Sequence, residues 1–124
     1  MNHEEALISA FIDPRRRGRY PDFIAKPRLR RKLLNELGHF KHLDPRYARQ
    51  RHLGAAGLKL LFEENRFLDV CWVVSENPKI DGRFMQLSDA VSELHRGFGT
   101  FLSFVPGKLA YFGNEDGEWI VEHP

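Results

Sequence analysis

Two stretches hold most of the side chains that could do chemistry. DPRRRGRYPDFIAKPRLRRK, residues 13–32, puts nine of the chain's nineteen Lys and Arg into twenty consecutive positions. Residues 13–51 together carry thirteen cations, ten of them Arg, against four acids. Clustered Arg suits forked contacts to phosphate, and it serves protein carboxylates equally well. Tyr20, Phe23, Phe40 and Tyr47 are interleaved and could stack on unpaired bases. The plain alternative is a solvated helix face with the aromatics in the core. That account is enough for residues 28–32. It is not enough for RRRGR at 15–19, where four arginines around a glycine repel one another beyond what solubility requires. The residues expected to hold an acidic partner are Arg15, Arg16, Arg17, Arg19, Arg28, Arg31 and Lys32.

The second stretch is SENPKIDGR, residues 75–83. It follows the most apolar run of the chain, the position at which a rigid strand hands over to a functional loop. Ser75, Glu76, Asn77, Asp81 and Arg83, with Thr100 from a later strand, form the candidate ligand-binding set. An Asp–Arg pair flanking Gly82 could position a small polar ligand. A turn whose polar groups satisfy their own backbone explains the same residues. No general base with a partner is evident, so no reaction is named and the question of an enzyme stays open.

Other constellations carry less. His39, His42, Asp44 and His52 have spacing that could share a metal, but Gly38 ends the preceding helix and Asp44 reads as a cap, so no metal site is assigned. Cys71 lies in an apolar run with no cation beside it and reads as buried and inert. GFGT at 97–100 follows a helix and precedes a strand, the reverse of a phosphate cradle. GAAG at 54–57 has the bare form of a GXXG loop but lacks its usual cation and flanking strands. No winged-helix pattern or RNP signature is present, and no motif asks for a cofactor.

The elements that must position these residues change character midway. Asn2 caps a helix ending before Asp13-Pro14, and Pro14 opens a short turn of helix. Pro27 starts a third helix, with Leu29, Leu33, Leu37 and Phe40 on one face and Arg30 at its margin. Asp44-Pro45 repeats the cap-and-proline signal for another short helix, and residues from Leu58 onward are helical. Beyond residue 66 the period shortens. DVCWVVSE is a strand buried on both faces, Ser88 caps a helix that Gly97 ends, and TFLSFV, KLAYF and EWIVE are strands joined by PG and NEDG turns.

The totals bound the reading. A chain of 124 residues suits one domain with one core, 1–124, split into a basic helical half and an acidic strand-rich half. Residues 1–66 hold fifteen Lys and Arg against eight acids, net +7, and residues 67–124 hold four against nine, net −5. One cysteine permits no internal disulfide, the start of the sequence lacks a basic signal region, and no apolar run approaches the roughly 20 residues that span a bilayer. These point to the cytoplasm. The expected fold is α+β, with N-terminal helices packed on one face of a small mixed or antiparallel sheet, in the order helical half and then β-α-β-β-β. The expected function is a non-catalytic interaction module whose basic face engages an acidic protein, a second copy of the chain or nucleic-acid backbone. The alternatives are a sequence-nonspecific nucleic-acid binder and a small ligand binder or enzyme using residues 75–83.

Overall fold

Asn2 opens the first helix through its side chain: Oδ1 accepts the Glu5 N–H at 2.8 Å, and α1 runs His3–Phe11 with Ala6, Leu7, Ile8 and Phe11 buried. The computed structural model describes residues 2–20, 25–36, 42–64, 69–94 and 98–124. The side chains of Arg16, Arg19, Ala55 and Phe62, and the expected helix stops at Gly38 and Gly97, lie outside what it describes.

Pro14–Arg19 forms a 3₁₀ helix begun by Asp13, whose Oδ1 accepts the Arg15 N–H at 3.0 Å. Helix α2, Pro27–Glu36, opens on its proline and buries Leu33. The expected short helix after Asp44 is absent. Asp44 is buried instead, its carboxylate taking the Arg46 N–H at 3.0 Å and the Arg46 guanidinium at 2.7 Å, while its own N–H donates to Phe11 O. With the side chain spent on a turn, the chain extends into strand β1, Ala48–Arg51.

Helix α3 runs Gly54–Glu63, four residues earlier than Leu58 suggests. It begins at Gly54 in the left-handed region, φ 63°, a conformation glycine takes without strain. The hydrogen bonds for its start come from far along the chain. The Leu53 and Gly54 N–H groups both donate to Glu118 Oε2, at 2.9 and 3.1 Å. Strand β2 is Val70–Ser75 and β3 is Arg83–Gln86, so Arg83 begins a strand that the sequence reading treated as loop. Helix α4, Leu87–Ser92, has Gln86 at its cap with no side-chain bond, so Ser88 does not cap it. Strands β4 (Thr100–Val105), β5 (Leu109–Asn114) and β6 (Gly117–Glu122) follow where their β-branched and aromatic residues place them.

All six strands form one antiparallel sheet in the order β1-β6-β5-β4-β2-β3. The α+β class therefore holds, and two parts of the expectation are corrected: helices cover both faces of the sheet, and the order is not a helical half followed by β-α-β-β-β, since β1 lies within the helical half and β3 comes between β2 and α4. On one face the rank Val74–Phe101–Phe112–Trp119 packs with Leu7, Ile8 and Phe11 of α1 and Leu33 of α2. On the other, Val73–Leu102–Tyr111–Ile120 packs with Leu58 of α3 and Leu87, Ala90 and Val91 of α4. The charge halves interleave, since β1 of the basic half pairs with β6 of the acidic half.

Candidate functional site

Strand β2 ends at Ser75, and the turn that follows is held almost wholly by its own atoms. Ser75 Oγ lies 2.7 Å from Thr100 Oγ1 and accepts the Asn77 N–H at 3.0 Å. Asn77 Oδ1 accepts the Lys79 N–H, and Asn77 O accepts those of Ile80 and Asp81. Glu76 exchanges two bonds with Gly99: its N–H donates to Gly99 O, and its Oε1 accepts the Gly99 N–H at 2.9 Å. Gly82, at φ 72°, reverses the chain into β3. Of the ligand-binding set, Ser75, Asn77 and Thr100 are buried and committed to this network, Glu76 and Asp81 are half-buried, and Arg83 is exposed on β3. The expected pairing of Asp81 with Arg83 gives way to a different partner.

That partner is Arg30. Its Nε donates to Asp81 Oδ2 at 3.1 Å and its Nη2 to Oδ1 at 2.8 Å. The same Nη2 lies 2.8 Å from Glu4 Oε1, which also accepts the Trp72 indole N–H at 3.2 Å. Asp81 Oδ1 takes the Ser75 N–H as well, at 3.0 Å. One guanidinium thus ties α1, α2, β2 and the loop together, with the three side chains between 12 and 18% exposed. Burial works against its charge, but hydrogen bonds to Asp81 and Glu4 more than offset this and raise its pKa above the ordinary value. Sequence reasoning placed Arg30 at the edge of the apolar stripe. The available signal was its spacing: Arg30, Leu33 and Leu34 stand at i, i+3 and i+4, so a cation sits on the inward face and needs a buried counter-charge.

Between α2 and this loop lies an open cleft of about 440 Å³. Pro27, Leu34 and Pro78 give it apolar walls, and Arg31, Asn35 and Glu76 give it polar ones. It joins one member of the basic set, Arg31, to the loop set, which the sequence left as separate candidates. Along the outer side of α2, Arg28, Arg31, Lys32 and Asn35 are all exposed at i, i+3, i+4 and i+7. Among the described residues no carboxylate pairs with Arg28, Arg31 or Lys32. The other arginines are placed differently. Arg15 is exposed but bonded to Asp13 through Nε and Nη2, and half-buried Arg17 donates to Ile12 O at 2.8 Å. So the segment that lacked a structural reason in the sequence, RRRGR, has one for two of its arginines, and the helix face that had one keeps its cations unpaired.

Of the histidine constellation, His39 lies outside the described residues, His42 hydrogen-bonds Tyr20 and His52 is exposed; among the described residues no group of three His, Cys, Asp or Glu could hold a metal. Cys71 is fully buried, and burial pushes its thiol up to about 12. His3 Nδ1 and the Ser103 hydroxyl are 2.7 Å apart, but Ser103 is sealed beneath α1 at 1% exposure. Among the described residues no helix is long and apolar enough to cross a membrane. No protein-family model matches this chain, and neither does any curated protein or solved structure.

Proposed function

We propose that the chain is a non-catalytic binding module whose α2 face and adjoining cleft take an acidic polypeptide. The observation that supports this is the run of unpaired cations on α2. Arg28 has like-charged neighbours at i+3 and i+4, each pair costing a few tenths of a kcal/mol; Glu36 follows Lys32 at i+4, but no described carboxylate forms an ion pair with any of the three. A helix whose only task was to bury Leu33 would not need that stripe.

The cleft argues for polypeptide over nucleic acid. A phosphodiester backbone offers acceptors and negative charge only, which suit Arg31 and are repelled by Glu76, Asp81 being paired with Arg30. A polypeptide offers carboxylates for Arg31 and backbone N–H groups for Glu76, with apolar side chains for Pro27, Leu34 and Pro78.

The test is fluorescence anisotropy with a labelled Asp/Glu-rich peptide and with single- and double-stranded oligonucleotides, at about 50 and about 200 mM salt. Peptide binding that weakens with salt and is lost in R28A/R31A/K32A is the expected result. Stronger binding to oligonucleotide, lost in the same variant, replaces this reading with the nucleic-acid one. No binding to either retires both.

A further inference from the structure

The sheet separates two opposite charges. Helix α2 packs on one face, with Arg28, Arg31 and Lys32 pointing outward, and Lys26 is exposed just before it. Helices α3 and α4 pack side by side on the other face. On that side Glu63 and Glu64 stand at the end of α3, Asp69 and Asp89 at the start of α4, and Glu93 at the C-cap of α4, all five exposed. Among the described residues none of the five is in an ion pair, and Lys59 is the one cation that shares their cleft.

One or two charges of each set stand at the wrong end of a helix. The helix dipole favours acids at an N-terminus and cations at a C-terminus. The first turn of α2 has no acid and contains Arg28 and Arg30. The last turns of α3 and α4 have no base; α3 ends on Glu63, and Glu93 occupies the C-cap of α4. Arg28, Glu63 and Glu93 therefore work against the dipoles of their own helices, and each patch supplies the counter-charge that the other lacks. The acidic side is also concave: Glu63 and Asp69 line an open cleft of about 300 Å³ with Gln86 and Ser88, between the end of α3 and the start of α4.

From this charge complementarity we infer that the acidic partner is a second copy of the chain, the α2 stripe of one copy docking on the acidic α3–α4 side of the next. This rests on the reading of α2 as an acidic-polypeptide surface. The two surfaces lie on opposite faces of the sheet, so the contact is head to tail. A heterologous contact of that kind does not stop at a dimer unless its rotation closes a ring.

Sedimentation velocity across a concentration series tests it. At about 50 mM salt the weight-average mass rises with concentration past about twice the 14.5 kDa of one chain, and at about 300 mM it falls back to one chain. R28E/R31E/K32E and E63K/D69K/E93K are each monomeric, and circular dichroism checks that each is folded. Mixing them restores assembly, because each now presents the charge the other's surface needs. Assembly of wild type that both variants retain, or a mixture that stays monomeric, overturns the inference. If one variant fails to fold, loss of assembly in the other decides. A wild-type chain that stays monomeric at low salt yet binds the acidic peptide removes self-association and leaves the binding module standing. One that does neither removes both.

Discussion

Replacing Arg30 with Met keeps the unbranched apolar stem of the side chain and deletes the guanidinium charge that Glu4 and Asp81 share. Both carboxylates lie 2.8 Å from the same nitrogen, so the substitution leaves two negative groups facing one another in a region only 12 to 16% exposed. A charge pair about 4 Å apart is worth about 4 kcal/mol at an effective dielectric near 20, and desolvation of the three groups cancels much of that. Removing one partner from such a cluster is a different matter, because the remaining charges keep their desolvation penalty. The expected loss is about 3 kcal/mol, the lower end of the range for broken buried pairs, since all three groups retain some water. For a chain of this size that lowers the melting temperature by about 12 °C. Urea unfolding followed by tryptophan fluorescence is the assay, because the Trp72 indole bonds the same Glu4 carboxylate. The midpoint falls and the slope stays. R30M/E4Q/D81N regains most of the loss, since it removes the stranded charges along with the guanidinium. A single variant within about 1 kcal/mol of wild type, or a triple variant no better than the single one, refutes the view that the triad ties the helices to the loop.

Two further outcomes follow from packing and protonation. A Cβ at Gly113 would stand 2.5 Å from the Tyr111 hydroxyl, which reaches along the strand to Glu118 at 2.8 Å; Gly113→Ala therefore costs about 1 to 3 kcal/mol, and less in a Tyr111→Phe background, as a denaturation double-mutant cycle would read. Equal cost in both backgrounds would mean the hydroxyl is not the obstacle. Burial lowers the pKa of His3, so the unfolded chain takes up the proton first as pH falls; the stability this confers is whole above the ordinary value near 6.5 and is lost as pH drops through the lower folded value. His3→Gln keeps a partner for Ser103 and does not titrate, so its urea midpoint falls less than wild type's between pH 7.5 and pH 5; parallel losses would place the pH dependence elsewhere.

Strands with a buried pattern were legible, and strands without one were not. VCWVVS, TFLSFV, LAYF and EWIV announce themselves through β-branched and aromatic residues that must fit a covered surface. ARQR and RFMQ do not, because they form the two edges of the sheet, where side chains are mostly exposed and only backbone pairing defines the strand. The two-sided cover of the sheet was implicit in β2: with Cys71 and Val73 buried on one face and Val74 on the other, something must cover each side. Periodicity says that a helix has an apolar face and not which side of a sheet receives it. At the candidate site, the loop's self-satisfied turn was foreseen as one reading of SENPKIDGR. The Arg30 link to Asp81 was not, since 51 positions separate two residues whose meeting depends on how α2 docks.

The pairing of β1 with β6 also governs the order in which the molecule can be made. Ala48 finds its partner at Val121, and the first N–H groups of α3 find theirs at Glu118, 64 and 65 positions away. Until Gly117–Glu122 has been synthesised, β1 is a strand without a sheet and α3 a helix without its start. Closing such long loops before any contact rewards them is slow, so completion of the sheet is expected to be the late step of folding. In a nascent chain the cations of Arg49 and Arg51 then have a use, since an edge that must wait for its neighbour is safest when it is too charged to take another.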